Sequence, residues 1–236
     1  MYGAVRRSDQ RIVAVKTLTD TKDKKLRRLF EQGAQVLQGL QHPSLPKVYA
    51  FERCASGHQF LVREPFDGGT LFERVYQKQQ RLTREEFRQL LLSLLGLLVY
   101  LHELMPPIIH RAIRPRNIIF RTPQEWAPAL ADFDTVTAPA GQRSGLDAVG
   151  SSRYAAPEQQ QGFATPASDL YSLGATMLFV ATHLDPDLAP HKWRFEVEDL
   201  SASMDPLLRR VLFKMIELEQ ERRYTSAREV LSDLGK

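Results

Sequence analysis

The residues able to do chemistry in this chain gather in two short stretches. The first is Ile108-Ile109-His110-Arg111-Ala112-Ile113-Arg114-Pro115-Arg116-Asn117-Ile118-Ile119-Phe120, a basic polar loop held between apolar pairs. The second, Leu130-Ala131-Asp132-Phe133-Asp134, sets two carboxylates close behind it. Strand-like apolar runs that deliver one set of polar groups make physical sense when the polar groups face a ligand and the apolar ones anchor them. A hairpin with a basic turn is the plainer alternative. A third feature is Lys16, a lone cation projected from the β-branched run Arg11-Ile12-Val13-Ala14-Val15-Lys16-Thr17-Leu18.

The elements that must position these groups follow from periodicity. Met1 to Val5, the turn Ser8-Asp9-Gln10 and residues 11 to 18 read as a strand and hairpin. Leu26, Leu29, Phe30, Ala34, Leu37 and Leu40 recur at helical spacing, which predicts a helix from Lys24 to Leu40 ended by His42-Pro43. Leu45 to Phe51 and Phe60 to Glu64 read as strands joined by Ser56-Gly57-His58, before the loop Asp67-Gly68-Gly69-Thr70. Beyond it the pattern turns helical: Leu71 to Tyr76, Arg84 to His102 behind a Thr83-Arg84-Glu85-Glu86 capping box, Ser168 to Thr182, Asp205 to Leu218 and Thr225 to Leu234. A β-rich front and an α-rich back predict an α+β, bilobal molecule with a cleft near residues 64 to 70.

Bulk composition excludes several classes. With 236 residues, 43% of them hydrophobic, the chain can bury a large core or two smaller ones. Its net charge of +4 is spread among interleaved acids, so no nucleic-acid stripe is expected. The single cysteine, Cys54, excludes an internal disulfide and fits a reducing, cytoplasmic compartment. No signal peptide is read at the start. The most apolar helical run, Leu90 to Leu101, is shorter than the roughly 20 residues a bilayer requires, so no membrane span is expected.

Taken together and in order, the motifs resemble a eukaryotic-type (Hanks-type) Ser/Thr protein kinase over nearly the whole chain. Val13-Ala14-Val15-Lys16 resembles the strand whose lysine contacts the ATP phosphates, and His110 to Asn117 the catalytic loop. Asp132-Phe133-Asp134 resembles the magnesium loop, and Ala156-Pro157-Glu158 the end of an activation segment. Ser168 to Gly174, with Asp169, resembles the helix that supports the catalytic loop, and Arg222 or Arg223 the arginine that pairs with Glu158. The resemblance implies a small antiparallel N-lobe with one helix (1–66, shortened at its start relative to the family) and a larger, mostly helical C-lobe (67–236), together forming one domain. It implies ATP and Mg2+ as cofactors and a protein substrate or regulatory protein as partner. Lys16, Val5, Ala14, Glu64 and Phe66 are then nucleotide-site residues. Asn117, Asp132 and Asp134 are oxygen ligands of the kind Mg2+ prefers. His110, Arg111, Glu158, Asp169 and Arg223 are architectural.

The departures from the family pattern carry as much information. The aspartate that handles the substrate proton is replaced by Ala112, and the lysine two positions on by Arg114. General-base assistance contributes about 10²–10⁴ in rate, so phosphoryl transfer is expected to be slow or absent. Gly33 stands where the helix glutamate that pairs with Lys16 belongs, and Glu31 faces another side of the helix. Lys16 is left to move or to find another acid, such as Asp132. Asp134 replaces the glycine of the magnesium loop, and only Gly3-Ala4-Val5 remains of a phosphate-covering glycine loop. Arg63 sits at the gatekeeper position, ahead of a hinge Glu64-Pro65-Phe66 in which proline removes a backbone donor. Ser151 is a candidate bridge to substrate, and Ser144, Ser151 and Ser152 are candidate phosphorylation sites for pairing with Arg111. A pseudokinase explains all the departures with one cause. An active kinase disabled at position 112 explains one of them, and a partner-binding module without nucleotide leaves the retained Lys16, Asn117 and Asp132 unexplained.

Overall fold

The first part of the chain builds a four-stranded antiparallel sheet in the order β1-β2-β4-β3, whose central strand β4 alternates buried and half-buried residues. Its strands are β1 (Tyr2–Val5), β2 (Ile12–Thr17), β3 (Val48–Arg53) and β4 (Gln59–Arg63). The computed structural model of the protein describes residues 1–7, 9–18, 22–136, 152–188 and 193–235. β3 starts three residues later than the sequence pattern suggests. Pro46 has no N–H for a ladder, and Leu45 instead donates to the His42 carbonyl at 3.0 Å.

Helix α1 (Lys24–Gln38) is capped by Asp23, whose carboxylate accepts from the N–H groups of Lys25 at 2.7 Å and Leu26 at 3.2 Å. Its buried residues are Phe30, Gly33, Ala34 and Leu37; Phe30, Ala34 and Leu37 belong to the expected stripe, while Gly33 lies against the Phe133 backbone. The predicted helix at Leu71 to Tyr76 forms, and from Glu73 to Gln77 it widens into a π-helix, with Lys78 N–H on the Glu73 carbonyl at 2.9 Å. Arg74 inside it is fully buried and ties the segment after the sheet to the next hairpin. It donates to the carbonyls of Gly68 at 2.9 Å and Glu125 at 2.7 Å and lies 3.9 Å over the Phe120 ring.

Helix α2 (Arg84–His102) starts at the expected capping box: Thr83 N–H donates to Glu86 at 2.7 Å, and Glu86 N–H returns to Thr83 Oγ1 at 3.2 Å. A short antiparallel hairpin, β5 (Ile118–Phe120) with β6 (Pro128–Leu130), follows and carries the two chemistry-bearing loops on its ends. The remaining helices are α3 (Pro157–Gln160), α4 (Pro166–Thr182), α5 (Trp193–Leu200), α6 (Pro206–Met215) and α7 (Ala227–Asp233). Helix α4 is buried along nearly its whole length and packs with α2 in the main core. α3 and α5 escape a periodicity reading because α3 is one turn long and α5 breaks its buried pair, Trp193 and Val197, with an exposed Phe195. Among the described residues no helix is long and apolar enough to cross a membrane.

One buried ion pair closes the helical part. Arg223 Nη1 and Nη2 donate to Glu158 Oε1 and Oε2 at 2.8 and 2.7 Å, and Ser168 Oγ donates to the same carboxylate at 2.6 Å. Of the two arginines allowed by the sequence, Arg223 makes this contact, while Arg222 pairs with Glu219 at the surface. Burial opposes the Glu158 charge, yet hydrogen bonds from Arg223 and Ser168 hold its carboxyl below the ordinary 4.5. Removing one partner of a buried pair costs about 3–5 kcal/mol, so Arg223→Leu is expected to lose that much in urea unfolding at pH 7. Because the folded-state value of Glu158 is depressed, its contribution is complete above 4.5 and fades as pH falls through the folded value. The urea gap between wild type and Glu158→Gln should therefore narrow as pH drops below that point.

Candidate functional site

Strand β2, helix α1 and the loop after β6 converge on Lys16. Its Nζ donates to Asp132 Oδ1 and to Asp134 Oδ2, each at 2.7 Å, and lies 5.6 Å from the Phe30 ring centre. Asp132 adopts a left-handed backbone (φ 70°, ψ 69°), which turns the chain into a single 3-10 turn at Phe133–Thr135. Phe133 is buried edge-on against His110, with ring centres 4.7 Å apart, so the acidic loop and the basic loop share one packing joint.

The glycine at the missing-glutamate position has a steric reason. A Cβ at Gly33 would fall 2.5 Å from the Phe133 carbonyl oxygen and 3.0 Å from the Asp134 nitrogen. The backbone of α1 therefore lies directly on the acidic loop, in the space a longer side chain would need. Glu31 is committed elsewhere, accepting from Arg53 at 2.8 Å on the surface. The negative partner of Lys16 thus comes from the loop on both sides.

Electrostatics agree with the geometry. Burial works against the Lys16 charge, but Asp132 and Asp134 outweigh it and raise its pKa. Burial also opposes ionisation of Asp132, which Lys16 overcomes, leaving that carboxyl below its ordinary value. Asp134 is shifted upward, by burial and by the neighbouring Asp132 charge, so it is the first of the two to take a proton.

The basic loop is held by partners on all sides. Asp169, from α4, accepts from the backbone N–H groups of His110 and Arg111, both at 2.8 Å, and contacts His102 Nε2 at 3.0 Å. Arg111 takes a left-handed backbone (φ 68°). Gln159 donates to its carbonyl at 2.9 Å, and Thr135 to that of His110 at 3.1 Å. Asn117 Nδ2 donates to the Ala112 carbonyl at 2.7 Å. Ala112 itself presents a methyl group at the centre of this frame. Its neighbours Arg111 and Arg114 keep buried guanidinium nitrogens without hydrogen-bond partners among the described residues.

Between the sheet and the helices lies a cleft of about 460 Å³. It brings together Lys16, Phe66, Asn117, Asp132 and Asp134, along with Gly33 and Arg63. Val5, Ala14 and Glu64 do not line it: Val5 is exposed on edge strand β1, Ala14 is buried within β2, and Glu64 pairs with Arg121 at 3.1 Å. Ser144 and Ser151 fall outside the described residues, whereas Ser152 donates to Asp187 at 3.2 Å. Arg63 is buried with no carboxylate partner among the described residues, donating instead to the Glu64 carbonyl at 3.0 Å and to Met1 Sδ at 3.1 Å. Nothing in its spacing announced that role.

Among the described residues no group of three or more His, Cys, Asp or Glu side chains is arranged as a metal cage. Mg2+ commonly needs only one or two carboxylates beside ligand phosphates. Asp132 and Asp134 fit that requirement, and Asn117, with its amide nitrogen bound to Ala112, has an amide oxygen to offer.

A small antiparallel sheet with one helix, a helical body and a lysine facing an acidic loop across a cleft define the two-lobed architecture of phosphoryl-transfer domains. Over residues 1–233 the sequence matches the protein kinase domain, and the chain belongs to that family, with its relatives on the Hanks-type Ser/Thr side. It is 32% identical to serine/threonine-protein kinase D of Synechocystis sp., over 92% of this chain and 45% of that protein. It is 33% identical to serine/threonine-protein kinase PknA of Nostoc sp. (87% and 38%) and 31% identical to mouse calcium/calmodulin-dependent protein kinase type IV (79% and 39%). The chain thus spans less than half the length of each of these relatives.

Two glycines separate packing from propensity. Gly33→Ala gains about 1 kcal/mol of helix propensity but forces a clash whose usual cost is about 1–3 kcal/mol. It is expected to destabilise the protein in urea. Gly96→Ala, in α2 with nothing within 4 Å of the new methyl group, should stabilise it by about 0.4–1 kcal/mol. Equal stabilisation by both would remove the close approach of α1 to the acidic loop.

Proposed function

We propose that this domain is a pseudokinase, which binds a Mg2+-bound purine nucleoside triphosphate (ATP in the family) with little or no phosphoryl transfer and acts on a regulatory protein partner through its conformation. The observation that carries this reading is the methyl group of Ala112 inside a loop that keeps His110, Arg111 and Asn117, with its carbonyl held by Asn117 at 2.7 Å. A methyl group neither accepts nor orients a hydroxyl proton. The lost general-base assistance corresponds to about 10²–10⁴ in rate.

The cleft divides between residues 1–66 and 67–236, taken as the two lobes. Lys16 is the cation for phosphate oxygens, and Asp132, Asp134 and Asn117 are the oxygen donors that would hold Mg2+. When bound, that ion neutralises phosphate charge and fixes phosphate geometry. Arg114 keeps a positive charge beside the transfer point, but as a planar fork in place of an ammonium. Opening the Lys16 pairs is part of binding, because the carboxylates that would hold Mg2+ are the same ones that pair with the lysine. His110, Arg111, Asp169, Glu158 and Arg223 keep the loops in register whether or not transfer occurs.

Thermal unfolding with increasing Mg2+-nucleotide should show a rise in Tm that grows with ligand concentration by mass action. Phosphate transfer to a generic basic protein should be absent in the wild type and should stay weak in Ala112→Asp, since Gly33 and Asp134 are unchanged. No shift with any Mg2+-purine nucleotide at millimolar concentration would remove the nucleotide role. Robust transfer by the wild type would remove the pseudokinase reading, and robust transfer by Ala112→Asp alone would identify a kinase disabled at one position.

A further inference from the structure

The cleft contains a charged group that phosphate and metal binding do not use. Arg63 ends strand β4 and is 4% exposed. In the sheet register Arg63 faces Ala14 while Lys16 faces Leu61. Ala14 and Lys16 are two residues apart on β2, so Arg63 and Lys16 project from the same face of the sheet, roughly 7 Å apart along it. Lys16, Asp132, Asp134 and Asn117 make one part of the cleft ionic. Leu61, Phe66, Ile119 and Met1 are apolar members of the lining, which also includes Asp67, Glu73 and Arg116, and Arg63 is its buried charge.

A guanidinium carries five N–H donors and no acceptor. The partners of Arg63 are the Glu64 carbonyl at 3.0 Å, the Met1 thioether at 3.1 Å, a weak acceptor, and the Phe66 ring face at 5.4 Å. Burial pushes its pKa down to about 10 against the opposing effect of the nearby Glu64 charge, so it remains charged at neutral pH. Glu64 is itself paired with Arg121 at 3.1 Å, so Arg63 has no ion pair of its own among the described residues, and acceptor oxygens of a ligand would stabilise it.

The adjoining segment adds a second constraint. The Glu64 carbonyl already accepts from Arg63, and Pro65 has no N–H. A flat aromatic base lying in the apolar part of the cleft therefore meets donors from Arg63. The 6-amino group of adenine is itself a donor, whereas the 6-oxo group of guanine or hypoxanthine is an acceptor.

We propose that Arg63 makes this cleft select a 6-oxopurine nucleotide, guanosine or inosine triphosphate, over ATP. The selection rests on the nucleotide-binding reading above. It reverses the hydrogen-bond polarity of the cleft's base end without altering its phosphate end.

The test is calorimetric titration of the wild-type chain with Mg2+ and ATP, GTP or ITP, repeated with Arg63→Met. A hydrogen bond to a charged group makes the expected preference for GTP and ITP at least about tenfold over ATP. Arg63→Met should abolish that ratio by weakening GTP and ITP while leaving ATP binding equal or tighter. ATP binding as tight as GTP in the wild type would overturn the selection and leave nucleotide binding intact, and the wild-type series decides this without the variant. An unchanged ratio in a folded Arg63→Met would also overturn it. Preference for GTP but not ITP would assign the selectivity to the 2-amino group and overturn the role of the 6-oxo oxygen. Binding of none of the three would remove the nucleotide reading itself.

Discussion

The interaction on which this structure turns is the double ion pair of Lys16 with Asp132 and Asp134, both at 2.7 Å. A half-buried ammonium in a cleft requires negative charge close by, and in this family that charge is expected on the helix beside the sheet. Here the helix has glycine at that position, and its backbone lies against Phe133 and Asp134, where a side chain would collide. The two changes form one arrangement: removing the glutamate lets α1 approach the loop, and the aspartate in the loop restores the charge that was removed. Without Asp134, Lys16 would keep a single carboxylate, Asp132, and any side chain at position 33 would meet the loop backbone at Phe133 and Asp134.

The loop around Ala112 is held in place without help from the side chain at that position. Its position is set by backbone groups of His110 and Arg111 on Asp169, by Gln159 and Thr135 on its carbonyls, and by Asn117 on the Ala112 carbonyl. None of these bonds requires a carboxylate at 112. A reactive side chain can be absent from such a frame while Lys16, Asn117 and Asp132 keep their places along the cleft. The same separation of frame and chemistry holds at Glu158 and Arg223, which bind α3 to the last third of the chain and take no part in the cleft.

The fold was largely legible in the sequence because its signals are local. The Thr83–Glu86 box, the stripe on α1, the Val13 to Lys16 strand and the ordered motif series each declare themselves within a few residues. Asp132 as an alternative acid for Lys16 also followed from charge alone. What was not legible depends on three-dimensional approach. The reason for glycine at position 33 is a carbonyl a hundred residues away in sequence, and nothing local to Asp134 points to its contact with Lys16. The helical pattern at Leu71 to Tyr76 gives no sign of the π-helical widening at Glu73–Gln77, where Arg74 is tied to the Gly68 carbonyl. Arg63 stands out in the sequence only by its gatekeeper position. Its actual partners, a neighbouring carbonyl and a thioether, leave no trace in spacing.

The claim that Asp134 supplies the charge lost from the helix is tested most directly by a double-mutant cycle of Lys16→Met and Asp134→Asn, read in urea unfolding at pH 7. Groups in direct contact show coupling energies of about 0.5–3 kcal/mol. Partial exposure of both side chains, 23% and 30%, places the expected value near the lower end, about 1 kcal/mol of favourable coupling. Strictly additive effects of the two substitutions would contradict the account, and Asp132 alone would then be the partner of Lys16.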